Sequence, residues 1–164
     1  MSKRLMIGMG AGLAVIAVSL FLVFSTTKGA HLELKGSILK VRSGELDDKS
    51  SAALLDVRLE NPSDILFVVR EVTVKLEKSD GSMEDGILVP RMNIKQVLEY
   101  NKFLGQQYND TLTIQDKVPA HKSIDRMIAV TFNVPGKELD AAKTIHLKIE
   151  DLNGPMFSVS HALR

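Results

Sequence analysis

The chain has 164 residues, twenty acidic against twenty-one basic, and contains neither Cys nor Trp. Without thiols it has no disulfides, no thiolate nucleophile and no Cys-ligated zinc or iron–sulfur site. All twenty acidic residues and every basic one except Lys3, Arg4 and Lys28 follow residue 30, so that part carries a formal charge of −2 and no general attraction for nucleic acid or an anionic membrane surface.

Residues 5–24 form an apolar run in which Ser19 is the one polar side chain. As a helix rising about 1.5 Å per residue the run spans roughly 30 Å, the hydrocarbon thickness of a bilayer. Lys3 and Arg4 precede it and Lys28 alone closely follows. This predicts a cytoplasmic tail over residues 1–4, a transmembrane helix in the inner (cytoplasmic) membrane, and a periplasmic or extracellular domain. The run exceeds the roughly 7–15 apolar residues of a signal peptide and no clean small-x-small site follows it. A cut after Ala30 puts Lys28 where a small residue is wanted, and Val23-Phe24-Ser25 is a poorer match. An uncleaved anchor is therefore expected in preference to a secreted product. Gly8 and Gly12 make a G-x-x-x-G step that Val15 and Ser19 extend, a face suited to close packing against another helix in a homodimer or a larger membrane assembly. Residues 25–30 reach at most about 20 Å, a short linker.

Residues 31–164 read as a β domain. Leu32, Leu34 and Ile38 open a first strand, with Gly36 a bulge that moves the parity to Leu39 and Val41. Residues 43–50 are polar and predict a loop. Ala53, Leu55, Val57 and Leu59 alternate with Leu54, Asp56, Arg58 and Glu60, a strand with one buried and one wet face, ended by Asn61-Pro62. Residues 65–69 are apolar on both faces and predict cover on both sides; Val72, Val74 and Leu76 then alternate. Asp80-Gly81 signals a hairpin, and residues 87–89 a short strand.

Residues 91–109 break this rhythm. Asn93 and Gln96 have capping-box spacing, and Ile94, Val97 and Leu98 suit two helical turns. Tyr100, Phe103 and Tyr108 put three of the eight aromatics within nine residues. Long non-strand insertions on β domains often bind partners. The predicted partner surface is accordingly Ile65, Phe67 and Val69 together with Tyr100, Phe103, Leu104 and Tyr108. The alternative is that the helix plugs an open end of the sandwich. Leu112 and Ile114 predict another strand, residues 124–134 the longest alternation with Arg126 near its start, and residues 138–143 one helical turn. Ile145, Leu147 and Ile149 then form a hairpin with Phe157, Val159 and Leu163. Seven to eight strands with a short helical insertion predict a mainly β, immunoglobulin- or fibronectin-III-like sandwich.

The Asn61-Pro62 strand end, the apolar strand after it, the Asp80-Gly81 turn and Val118-Pro119-Ala120 leading into residues 124–134 resemble membrane-anchored immunoglobulin-like bacterial domains. More faintly, they resemble the water-stress and hypersensitive-response (late embryogenesis abundant type 2) sandwich. The likeness covers about residues 51–134. It implies a β-sandwich with no catalytic residues to carry over, and residues 93–104 depart from its pattern.

Motifs for chemistry are missing. His31, His121, His146 and His161 form no H-x-x-x-H or H-E-x-x-H pattern. His146 and His161 face each other only if paired positions sum to 307, a register that turns Phe157 and Val159 away from Ile145 and Leu147. Burial predicts a sum of 308 instead. Asp80, Ser82, Glu84 and Asp85 share one loop, but Arg91 holds the twelfth position, where a calcium loop needs a bidentate Glu. There is no G-x-S-x-G elbow, and the Gly8–Gly12 cluster lacks the strand of a phosphate loop. No catalytic residue, cofactor or metal is predicted. The expected function is non-catalytic: a single-pass membrane protein whose outer domain binds or braces other proteins as an accessory subunit. The alternatives are a lipid or apolar-ligand module and, after cleavage, a secreted stress-protective domain.

Overall fold

The computed structural model describes residues 16–19 and 33–163. The predicted membrane span lies outside the described residues, Gly8, Gly12 and Val15 included, except that residues 16–19, with Ser19, are helical. Among the described residues no helix is long and apolar enough to cross a membrane.

Among the described residues nine strands form two sheets, one or two more than the alternation predicts. The first sheet has the order β1 (Lys35–Asp47), β2 (Ser50–Asn61), β7 (Lys122–Phe132), β5 (Ile87–Leu88). The second runs β4 (Met83–Asp85), β3 (Phe67–Glu77), β8 (Thr144–Asp151), β9 (Met156–Ala162), with the short β6 (Lys117–Val118) also on β3. All strand pairs are antiparallel. The main core lies between the sheets, where Leu55, Val57, Val130 and Phe132 meet Val74, Leu76, Ile145 and Leu147. The molecule is thus sandwich-like. Gly86 turns the chain from β4 on one sheet to β5 on the other. Its N–H donates to the Val74 carbonyl (2.8 Å), and a Cβ there would collide with Val130 and Phe132. One end of the core is closed by α2 (Gly136–Asp140), which buries Leu139.

Several expectations from the sequence are corrected. The polar stretch over residues 43–50 is the β1–β2 hairpin, pairing Ser43 with Ala53 and Asp47 with Ser50. Asp47 makes the turn by accepting from Lys49 N–H (2.8 Å) and Ser50 Oγ (2.7 Å). Gly36 is no bulge but pairs with Leu59, at a point where a Cβ would collide with the Arg58 carbonyl; the register slips at Leu39 instead. Leu112 and Ile114 make no strand; Thr111 bridges Met127 in parallel and Leu112 N–H donates to the Met127 carbonyl. Of residues 65–69, Ile65 and Leu66 are exposed in the turn before β3, and Phe67 and Val69 are core. The β8–β9 register sums to 306, so Ile149 faces Phe157 and Ile145 faces His161. The parity that burial demands is kept, two residues along, and His146 pairs with Ser160.

The β2 face predicted to be wet is the largest departure. Leu54 and Asp56 are buried because α1 (Ile94–Tyr100) and its flanking turns lie over this side of the first sheet. Ile94 and Leu104 pack there on Ala52, Leu54, Met127 and Ala129 as a second, smaller core. The predicted capping box is not formed. Asn93 is itself helical and its side chain caps nothing.

Asn61 shows how a turn is fixed from inside. Its fully buried side-chain amide donates to the carbonyls of Ile65 (2.7 Å) and Val118 (2.9 Å), and its oxygen accepts from Ser63 N–H and Oγ. Asn61→Ala strands these buried groups, each at about 1–3 kcal/mol. The expected outcome is a loss of several kcal/mol, read as a lower denaturant midpoint with an unchanged slope.

Candidate functional site

The helical layer is held to the first sheet by one buried ion pair. Arg42 on β1 and Asp56 on β2, each 9% exposed in its side chain, meet at 3.1 Å between Nη2 and Oδ2. Arg42 Nη1 also donates to the carbonyls of Leu104 (2.6 Å) and Gln106 (2.8 Å). Gly105 stands between those two carbonyls with φ of +78°, a conformation that costs a side chain dearly and lets both turn to one guanidinium. The Tyr108 ring covers the guanidinium at 5.0 Å from its centroid, within cation–π reach, and Asn109 Nδ2 lies 3.4 Å from Asp56 Oδ1. Arg42 therefore gathers residues 104–109 onto the sheet.

Asn101 places the segment just before. Its Nδ2 donates to the Glu45 carbonyl (2.7 Å) and its Oδ1 accepts from Phe103 N–H (2.9 Å). It fits because Gly44 lacks a side chain; a Cβ there would stand 2.6 Å from Asn101 Nδ2. With Leu104 fully buried, the turn pushes Phe103 outward. Phe103 is 93% exposed and Tyr100 71%.

These two rings edge an open cleft of about 830 Å³ between the β1–β2 turn, the end of α1 and α2. Glu45, Asp47, Asp48, Glu99 and Asp140 line it against Lys102 and Lys137. The hydrogen bond from Ser50 holds the Asp47 carboxyl below its ordinary range, aided by Lys49 N–H. The site is thus acidic with two bare aromatics, suited to a partner with basic and apolar groups.

The predicted partner surface splits. Tyr100 and Phe103 come together at the cleft, and Tyr108, also exposed, lies round the layer over Arg42. Ile65 is exposed, but in the turn before β3 and not among the aromatics of the cleft; Phe67, Val69 and Leu104 are buried and cannot offer a surface without unfolding. The apolar positions of residues 65–69 were divided by a turn that the sequence run conceals. Sequence reasoning missed Arg42 and Asp56. The available signal was Asp56 itself, one carboxylate in an otherwise apolar stretch from Ala52 to Val57.

One alignment invites a catalytic reading. His146 Nδ1 lies 2.8 Å from Ser160 Oγ and its Nε2 lies 3.5 Å from Glu77 Oε2. The carboxylate contact is beyond good hydrogen-bond length. His146 and Glu77 are half-exposed, Ser160 is exposed, and the three form a cross-strand ladder on the outer face of the second sheet. Among the described residues no three His, Asp or Glu groups converge as metal ligands.

No protein-family model matches the chain, and no curated protein matches it. Among solved structures the chain is similar to the lipoprotein candidate YcdA of Bacillus subtilis, with 10% identity and a TM-score of 0.49 over 82% of this chain. It spans 38% of that protein's length. It is also similar to the subunit of the Iho670 flagellar-like filament, with 8% identity and a TM-score of 0.35 over 98% of this chain and 96% of that one. Likenesses at this level assign neither family nor function.

Two outcomes are expected. Asp56→Ala leaves Arg42 buried without its counter-ion and costs about 3–5 kcal/mol, whereas Arg42→Met with Asp56→Leu recovers much of that loss. In the double variant the amides of residues 102–109 nevertheless exchange faster, because nothing holds the Leu104 and Gln106 carbonyls. The second concerns the two-pronged pair of Arg58 and Asp125 beside the layer, at 2.7 and 2.8 Å. Arg58 holds the Asp125 carboxyl below its ordinary range. Its stabilisation is present above the unfolded carboxyl's value of about 4 and is lost as pH falls through the lower folded value. Arg58→Met is expected to lower the midpoint slightly at neutral pH, a difference that closes on acidification.

Proposed function

We propose that the protein is a non-catalytic, single-pass membrane protein whose outer, immunoglobulin-like domain binds or braces another protein as an accessory subunit. Residues 1–4 are cytoplasmic in this reading, residues 5–24 span the membrane, residues 25–30 link, and residues 31–164 form the domain outside. The charge placement at Lys3 and Arg4 and the length of the apolar run support the anchor.

The observation that carries the binding role is the presentation of Phe103 and Tyr100. Exposing a Phe forgoes about 2 kcal/mol of burial. Here the exposure is built in, by Asn101, by the Gly44 gap and by the Arg42 anchor behind Leu104. Rigid aromatics at a cleft are the usual anchors of protein interfaces, since little conformational freedom is lost when they are covered. The space beneath α1 is filled by Ile94, Leu104, Leu54 and Met127, which favours a protein partner over an enclosed lipid.

Mild detergent extraction followed by native mass spectrometry tests the reading. Associated chains are expected with the natural protein, and their recovery should fall at least tenfold in Tyr100→Ser with Phe103→Ser, whose thermal unfolding is unchanged. A lone monomer, or a complex indifferent to the double variant, overturns it.

A further inference from the structure

Among the described residues each sheet has strand edges that leave backbone groups unpaired, and proteins normally guard such edges. β1 is guarded by the exposed Lys35 and Lys40 and by register breaks at Leu39 and Leu46. β4 and β5 are guarded by brevity, at three and two residues. β9 is different. Its seven residues contain no Pro, Lys, Arg, Asp or Glu, and its ladder with β8 runs without a bulge. β1 approaches it across the core at Gly36 and Phe157, without pairing to it.

Two hydrogen bonds show which groups face outward. Leu163 N–H donates to the Lys143 carbonyl (2.9 Å) and Asp151 N–H to the Pro155 carbonyl (2.8 Å). In an antiparallel ladder such pairs recur every second residue, so the odd-numbered residues of β9 bond to β8. Met156, Ser158, Ser160 and Ala162 therefore aim their N–H and C=O groups away from the sheet. These same residues carry the exposed side chains, while Phe157, Val159 and His161 face inward and are only half covered.

We infer that β9 is a self-association edge, and that its partner is the β9 of a second copy of this chain, paired antiparallel about a two-fold axis at Val159. In that register Ser158 bonds to the partner's Ser160 and Met156 to the partner's Ala162, using only groups the edge leaves free. Even residues meet even residues, so the inner faces stay on one side and Phe157 comes to lie beside the partner's His161. No charged side chains are opposed across the axis, unlike a β1 edge bearing Lys35 and Lys40. The joined sheet runs β4-β3-β8-β9-β9-β8-β3-β4. The edge is distinct from the aromatic cleft, and the inference goes beyond the proposed function, holding whether or not the chain is anchored.

Sedimentation of the full chain in detergent micelles tests this, together with hydrogen exchange at increasing concentration. The expected result is a weak dimer, with Kd on the order of micromolar for so small an interface. Protection should rise with concentration at the amides of Met156, Ser158, Ser160 and Ala162. Ser158→Lys should weaken the dimer at least tenfold. Ser160→Pro, which deletes an N–H that β8 does not use, should do the same. A monomer at every concentration overturns the inference, as does a dimer indifferent to both variants. So does a dimer abolished only by Gly8→Leu with Gly12→Leu, which would place association in the N-terminal segment. Protection of these amides without a change in mass means that some other strand covers the edge, and likewise overturns self-pairing.

Discussion

A guanidinium and a carboxylate buried side by side on the outer face of the first sheet constrain everything that lies above them. Removing such a pair from water costs several kcal/mol per ion, and their attraction offsets this only when the remaining polar atoms are also satisfied. Arg42 meets the demand by reaching two carbonyls, Asp56 and the face of Tyr108, although its Nε has no partner among the described residues. The pair therefore adds little net stability. Its effect is on conformation: residues 104–109 have one arrangement that satisfies Arg42, and any other leaves a charge stranded. An apolar pair of similar size would hold the sheet equally well and leave the segment free to wander.

The second core follows from this. β2 is buried on both faces over its first half, against the opposite sheet on one side and the helical layer on the other. α1 has seven residues, too few to be stable alone, so its helicity depends on Ile94 finding Leu54 and Met127. The order of dependence runs from the ion pair to the loop, from the loop to Leu104, and from Leu104 to the helix. Asn101 and Gly44 then translate that internal order into the position of Phe103 on the surface.

Legibility in the sequence followed the physics of each element. Where one face is buried and one wet, period-two alternation is strong, and β7, β8 and the inner row of β2 were readable. Where a strand is covered on both faces, or lies at an edge and needs no apolar residue, the rule has nothing to count. That is why the polar end of β1 resembled a loop, and why Leu54 and Asp56 seemed to face water. The aromatic segment was visible as composition, and Tyr100 and Phe103 do lie together at the cleft. Their partners were not visible, because Arg42 and Asn101 act through carbonyls distant in sequence, and nothing local marks which carbonyl will be near. Register depends on turn length, which is why the predicted β8–β9 pairing kept its face and slipped by two residues.

Geometry also bears on where a partner approaches. β1 runs from Lys35 to Asp47, and the cleft is built on its last residues, Ser43 onward. At about 3.3 Å per residue the cleft lies on the order of 25 Å along the strand from where the chain enters the domain. If residues 5–24 hold the entry point at a membrane surface through a linker no longer than about 20 Å and β1 rises away from that surface, Tyr100 and Phe103 sit at the far end. A lipid headgroup or a neighbouring transmembrane helix would not reach them there. A protein partner standing well clear of the membrane would, and its basic groups would meet the acidic lining of Glu45, Asp47, Asp48 and Asp140 while its apolar surface covered the two rings. In the proposed reading the anchor and the cleft divide the work: one would fix the domain at the membrane, and the other would face outward at the height where a second protein's outer part can meet it.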